Sequence, residues 1–183
     1  YLGSPEQVEI VKNFIQKFKK EEDIVIIDPV LGDNGKLYTG FDNRIVEEMR
    51  FLIGYAVVIT PNLTELSLLL DIPYKEKNTD EQLKSHLLSL SDKGPEIAII
   101  TNVPVADEPH KTSVYAYNRT GNRFWKVKCP YLPAHYPGVG DTFTSVLTGA
   151  LMQGDSLPIA LERATQFCYQ GITATFVIIT ECC

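Results

Sequence analysis

Asp23-Ile24-Val25-Ile26-Ile27-Asp28-Pro29 sets four β-branched residues in a row between two aspartates and closes on a proline. A strand with one wet face alternates apolar and polar side chains. An unbroken apolar run reads instead as a strand covered on both faces. Ala56-Val57-Val58-Ile59-Thr60 and Ile97 to Thr101 repeat the pattern further along the chain. Between these runs the apolar spacing becomes helical. Ser4-Pro5-Glu6-Gln7 supplies an N-cap, a proline at the first helical position and a glutamine placed for a capping box. Val8, Val11, Phe14, Ile15 and Phe18 follow at helical intervals. Further helices are read over Asn43 to Ile53, over Leu63 to Leu70, and from the capping box Thr79-Asp80-Glu81-Gln82 to the stop at Gly94-Pro95. Thr112 to Asn118 and Asn122 to Lys128 form a hairpin around Arg119-Thr120-Gly121. The last two helices run from about Gly140 to Gln153 and from about Ser156 to Thr173. Covered strands alternating with helices specify an α/β fold, with a mainly parallel sheet flanked by helices on both faces.

A chain of 183 residues suits one domain with a sizeable core. The net charge is −6, and the lone basic cluster, Lys17, Lys19 and Lys20, closes a helix where cations suit the dipole. Both facts argue against nucleic acid as a partner. No apolar run approaches membrane-spanning length and no signal peptide opens the chain, so no membrane partner is expected. Cys129, Cys168 and the pair Cys182-Cys183 lack metal-ligand spacing and any disulfide framework, which fits a reducing cytoplasm. His86, on a helix, and His110 and His135, in loops, are too dispersed for a metal site. Phe124 and Trp125 read as packing residues of the hairpin. The chain opens at Tyr1 and closes on an apolar, strand-like run from Thr175, so it reads as a fragment.

Ligands of such sheets gather at the C-terminal strand ends. The chemically suggestive residues fall there: Asp28 and Asp33 after the first run, Thr60-Pro61-Asn62-Leu63-Thr64-Glu65 after the second, and Thr101-Asn102 after the third. Each has a plain structural reading. Asp28-Pro29 can end a strand, Asn62 can be an N-cap with Glu65 its partner, and Thr101 can be an ordinary strand residue. Taken together on one sheet edge, they suit phosphoryl transfer. Carboxylates hold Mg²⁺, and hydroxyls and N–H groups meet phosphates. Pro137-Gly138-Val139-Gly140-Asp141-Thr142-Phe143-Thr144 then opens an apolar helix. Glycines there let backbone N–H groups close on an oxyanion, the helix start adds a positive dipole end, and Asp141 is placed to take a proton from a hydroxyl.

In order and spacing, Asp28-Pro29-Val30-Leu31-Gly32-Asp33, Asn62-x-x-Glu65 and Gly138-x-Gly140-Asp141 resemble the motifs of the ribokinase-like superfamily. Tyr1-Leu2-Gly3-Ser4, and Gly35-Lys36-Leu37-Tyr38 after the Asp28 stretch, resemble the pyridoxal (pyridoxine, pyridoxamine) kinases within it. The resemblance spans residues 1–175. It implies a three-layer αβα fold and a single kinase domain over residues 1–183, incomplete at the N-terminus and without the family's closing helix.

The implied activity is ATP- and Mg²⁺-dependent phosphorylation of the 5′-hydroxymethyl group of a vitamin B6 form, a salvage step toward pyridoxal 5′-phosphate. By the resemblance, Asp141 is the base and meets the substrate, and the backbone of Gly138, Val139 and Gly140 is the anion hole. Val139 stands where many members carry threonine, which leaves its backbone N–H available. Asp28 lies near metal and γ-phosphate. Asn62 and Glu65 organise Mg²⁺ and its waters, and Asp33 and Tyr38 lie beside the nucleotide phosphates. Thr60 and Thr101 donate to phosphate oxygens. Asn102 neighbours them where a serine is common. Tyr1 falls where an aromatic meets the pyridine ring. K⁺ near the phosphates and a homodimer complete the expectations. Two other readings stand beside this one: a hydroxymethylpyrimidine or sugar kinase of the same superfamily, and a non-catalytic nucleotide-binding module.

Overall fold

A computed structural model describes residues 1–134 and 136–181. In chain order the elements are α1 (Pro5–Phe18), β1 (Ile26–Ile27), β2 (Gly32–Asp33), β3 (Lys36–Leu37), α2 (Asn43–Leu52), a 3₁₀ turn (Ile53–Tyr55), β4 (Val58–Ile59), α3 (Leu63–Leu70), α4 (Asp80–Ser91), β5 (Ile97–Pro104), β6 (Lys111–Asn118), β7 (Arg123–Pro130), α5 (Val139–Met152) and α6 (Leu157–Glu181).

The main sheet runs β1-β4-β5-β6-β7. Its first three strands pair in parallel, and β5, β6 and β7 pair antiparallel. Side chains alternate across it and define two cores. Ile27, Ile59, Ala98, Ile100, Tyr115 and Tyr117 face a layer built from α1 to α4. Val58, Ile99, Val114 and Ala116 face Phe143, Leu147 and Ala150 of α5 and Leu157, Ala160, Leu161 and Ala164 of α6. This is the three-layer arrangement that continuous apolar runs require. Phe124 packs at a tilt against Tyr117 of the first core, and Trp125 packs against the second.

The parallel strands are shorter than the sequence suggests. Among the described residues β1 pairs with β4 alone, and Ile24 ahead of it is 46% exposed. Backbone bonds from Val57 to the Val25 carbonyl (2.8 Å) and from Thr60 to the Ile27 carbonyl (3.3 Å) extend the pairing slightly. Pro29 cannot donate and ends it.

The third run is longer than expected. It passes Thr101 and continues to Pro104 through a bulge, where Ile100 pairs with Tyr115 but Val103 with Ser113. Asn102 takes a left-handed φ of 53° inside it. Thr112 and Ser113 hydroxyls donate to the Val103 carbonyl (3.3 and 3.1 Å) across the irregularity.

A larger correction concerns the apolar run from Thr175. It continues α6 as helix to Glu181. β-branched residues favour strands only where a pleated neighbour receives them. Thr173 and Thr175 instead return their hydroxyls to the carbonyls four residues back (2.7 and 2.9 Å), which threonine does readily in a helix. His135 and the Cys182-Cys183 pair lie outside the described residues.

The first helix starts as read, with the Ser4 hydroxyl accepting from the Gln7 N–H (3.4 Å). The glutamine side chain, however, accepts from Gly3 (2.6 Å) rather than from Ser4. The capping boxes of α3 and α4 are both complete.

Candidate active site

Three chain segments meet at the C-terminal end of β1 and β4. Pro29 ends the ladder and leaves Asp28 at its mouth. The Thr60 hydroxyl, 3% exposed at the end of β4, donates to Asp28 Oδ1 (3.3 Å). The same hydroxyl lies 2.9 Å from the Thr144 hydroxyl in the second turn of α5. This chain of oxygens ties α5 to both strand ends. It also brings Gly140 against Asp28: a Cβ on Gly140 would sit 3.6 Å from Asp28 Oδ2.

Gly138 caps α5 in the left-handed region (φ 88°, ψ 3°), which only glycine adopts without strain. It has no side chain to cap with, so the first N–H groups of α5 keep no partner within the helix. Gly138, Gly140 and Asp141 are exposed. The result is an open helix N-terminus with a carboxylate in its first turn, facing a second carboxylate on a strand end.

Electrostatics at this edge are strained by crowded acids. Burial, countered by the Thr60 hydroxyl and reinforced by Asp141, pushes Asp28 up to about 6. Glu65 is 4% exposed, and burial pushes it up to about 8. Its carboxylate accepts from the backbone N–H groups of Asn62 (2.9 Å) and Leu31 (3.2 Å). The Tyr38 phenol is also raised, first by burial and then by Glu65, Asp33, Asp28 and Asp141.

Other sequence-predicted residues take more structural roles. The Asn62 side chain accepts from Thr64 and Glu65 N–H groups (2.8 and 3.0 Å) and donates to the Gly32 carbonyl (2.9 Å). Thr101 pairs with Asn62 as an isolated bridge, and its hydroxyl donates to the Pro61 carbonyl (3.5 Å). Asn102 is exposed and accepts from the Thr112 hydroxyl (3.3 Å). Asp33 turns back on Asn34, accepting from its N–H and Nδ2 (2.9 and 3.2 Å). Tyr1 is 81% exposed and stacks on Phe41 at 5.7 Å.

Sequence reading assigned no role to Thr144 and did not find the β2–β3 hairpin, although the Asn34-Gly35 dipeptide is a strong hairpin signal.

The phosphomethylpyrimidine kinase family matches residues 1–181. The chain belongs to that family. Other members and neighbours are close in sequence and shape. A pyridoxal kinase of Dictyostelium discoideum is 30% identical over 187 residues, covering 96% of this chain and 60% of that protein. A candidate phosphomethylpyrimidine kinase of Bacteroides thetaiotaomicron, solved with pyridoxal, is 70% identical with a TM-score of 0.93, covering 96% of this chain and 62% of the other. The pyridoxal kinase of Lactobacillus plantarum is 32% identical with a TM-score of 0.85, covering 97% and 61%. The fold is that of the ribokinase-like kinases. This phosphomethylpyrimidine kinase family member spans about half the length of the curated relatives it matches. Among the described residues, no helix is long and apolar enough to cross a membrane.

The crowded acids make stability depend on pH. Both Asp28 and Glu65 have folded values above their ordinary ones, so the folded state holds protons that the unfolded chain has released. Their contribution to stability is complete below the ordinary carboxylate range. It is lost as pH rises, through about 6 for Asp28 and about 8 for Glu65. Thermal melts in chelator should therefore show a midpoint falling from about pH 4 to about pH 8. Glu65→Gln should flatten the alkaline half of that slope. A midpoint that rises with pH over this window would refute the assignment.

Proposed function

We propose that the protein is an ATP-dependent kinase for the 5′-hydroxymethyl group of pyridoxal or a close vitamin B6 form. The observation that carries the reading is the juxtaposition of Asp28 with the open N-terminus of α5, fixed by the Thr144–Thr60–Asp28 contacts. An acceptor hydroxyl beside Asp141 would give up its proton to that carboxylate as its oxygen attacks the terminal phosphorus. The bond to the bridging oxygen breaks and ADP leaves. The N–H groups of Gly138, Val139 and Gly140 suit the equatorial oxygens of the transferring group.

Magnesium fits the donor set. Asp28 faces the open start of α5 at the strand end, and Mg²⁺ typically uses one or two carboxylates with waters and substrate phosphates. Asp28 would hold it, with Glu65 acting through waters, and the ion would neutralise charge on the transferring phosphate. Thr60, Thr101 and Asn102 are proposed to border the triphosphate, Asp33 and Tyr38 to flank it, and Tyr1 to meet the vitamin ring. A K⁺ ion, a homodimer and a cytoplasmic setting belong to the same proposal, supported by the likeness to pyridoxal kinases.

The test is an ATP-consumption assay of the full-length protein with a panel of B6 vitamers, hydroxymethylpyrimidine and sugars. Pyridoxal or a close vitamer should be turned over with Mg·ATP. If hydroxymethylpyrimidine or a sugar is turned over and no vitamer is, the vitamin assignment fails.

A further inference from the structure

Three hydrogen bonds run between the first turn of α3 and the β2–β3 hairpin. The Leu31 N–H donates to Glu65 Oε1 (3.2 Å), Asn62 Nδ2 donates to the Gly32 carbonyl (2.9 Å), and the Gly35 N–H donates to the Thr64 hydroxyl (2.9 Å). Asn62 and Glu65 are also bound up in the helix cap. Thr64 is not. Its side chain is 2% exposed, and its hydroxyl is committed to the tip of the hairpin.

That tip is the Asn34-Gly35 turn, with φ values of 51° and 75°. Two successive positive φ angles mark the tight turn that Asn-Gly favours. On its other side a Cβ at Gly35 would stand 2.8 Å from Tyr74 Cδ1. The turn is thus held between a buried hydroxyl and an aromatic ring.

The hairpin needs such holding. Its strands are two residues each, and a two-stranded hairpin is marginal alone in water. Asp33 sits on one arm, and Tyr38 follows the other with its N–H on the Leu31 carbonyl (3.0 Å). Both therefore move with the turn.

We propose that Thr64 is a positioning residue for the nucleotide-phosphate end of the site, fixing the Asn34-Gly35 turn and, through the hairpin arms, Asp33 and Tyr38. The inference rests on the kinase reading above.

Thr64→Val keeps shape and removes the hydroxyl, and Thr64→Ser keeps the hydroxyl. In full-length protein, the Val variant should speed amide exchange at Gly35 by roughly tenfold, the equivalent of one lost hydrogen bond. It should raise the Kd for Mg·AMP-PNP and the KM for Mg·ATP together, by roughly tenfold at most, with the KM for pyridoxal unmoved. The Ser variant should restore all three. If Thr64→Val does not fold, Tyr74→Ala loosens the same turn from outside and should weaken Mg·AMP-PNP binding in the same direction.

Faster Gly35 exchange with unchanged nucleotide affinity would overturn the inference, as would an equal rise in the pyridoxal KM. A wild-type protein that binds Mg·AMP-PNP but phosphorylates no B6 vitamer would sink the proposed activity, and the AMP-PNP arm would still decide the role of Thr64.

Discussion

Asp141→Asn should abolish turnover while the protein still folds and still binds ATP. The loss belongs in kcat, on the order of 10²–10⁴-fold for a removed general base. The geometry makes the variant informative. Asp141 lies in the first turn of α5, exposed, and the cap itself is Gly138 with no side chain involved. Asparagine is nearly isosteric there, so the helix start is kept. The carboxylate also favours the helix dipole, but such a contact at an exposed terminus is worth only about 0.3–1 kcal/mol. Steady-state kinetics and a thermal melt of the same preparation separate the two roles. Near-normal kcat would make Asp141 a structural residue, and an unfolded variant would move its role to stability.

Glu65→Gln should shift the Mg²⁺ titration of activity by roughly 10–100-fold, the scale seen when groups supporting a metal are altered. A structural cost accompanies it. The carboxylate offers one oxygen to Asn62 N–H and the other to Leu31 N–H. Glutamine can present an acceptor to only one of them and turns an NH₂ toward the other. Leaving one buried donor unmet costs about 1–3 kcal/mol. The two effects have different signatures. The metal effect is recovered by raising Mg²⁺ concentration, and the hairpin effect is not. An unmoved Mg²⁺ midpoint with a lowered melting temperature would confine Glu65 to its capping box.

Much of this architecture was legible in the chain. Ile24 to Ile27 and Ala56 to Thr60 announced covered strands, and the Ser4, Asn62 and Thr79 caps announced helix starts, because these signals are local. What failed was set by neighbours. Ile24 is exposed ahead of the paired stretch of β1, and Thr175 to Thr180 continue the backbone of α6 as helix. The candidate site divides in the same way. Asp28, Asn62, Glu65 and Asp141 stand in recognisable motifs. The contact of Thr60 with Thr144 joins residues 84 apart, and that of Gly35 with Thr64 joins residues 29 apart. Neither is encoded in local spacing.

The bulge at Thr101-Asn102 has an evolutionary consequence. Before it, Ala98 and Ile100 point into the layer of α1 to α4. After it Val103 points there again, although it lies an odd number of positions further on. The surplus residue resets the phase of the strand. Substitutions at Asn102 leave that phase alone. Deleting the surplus residue would leave Val103 two positions after Ile100 and still facing the same core, so that core does not itself demand the bulge. At this point of the chain, inheritance is constrained in letters more than in length: the φ of 53° at position 102 favours asparagine or glycine over β-branched residues, and family members should keep such a residue wherever they keep the bulge.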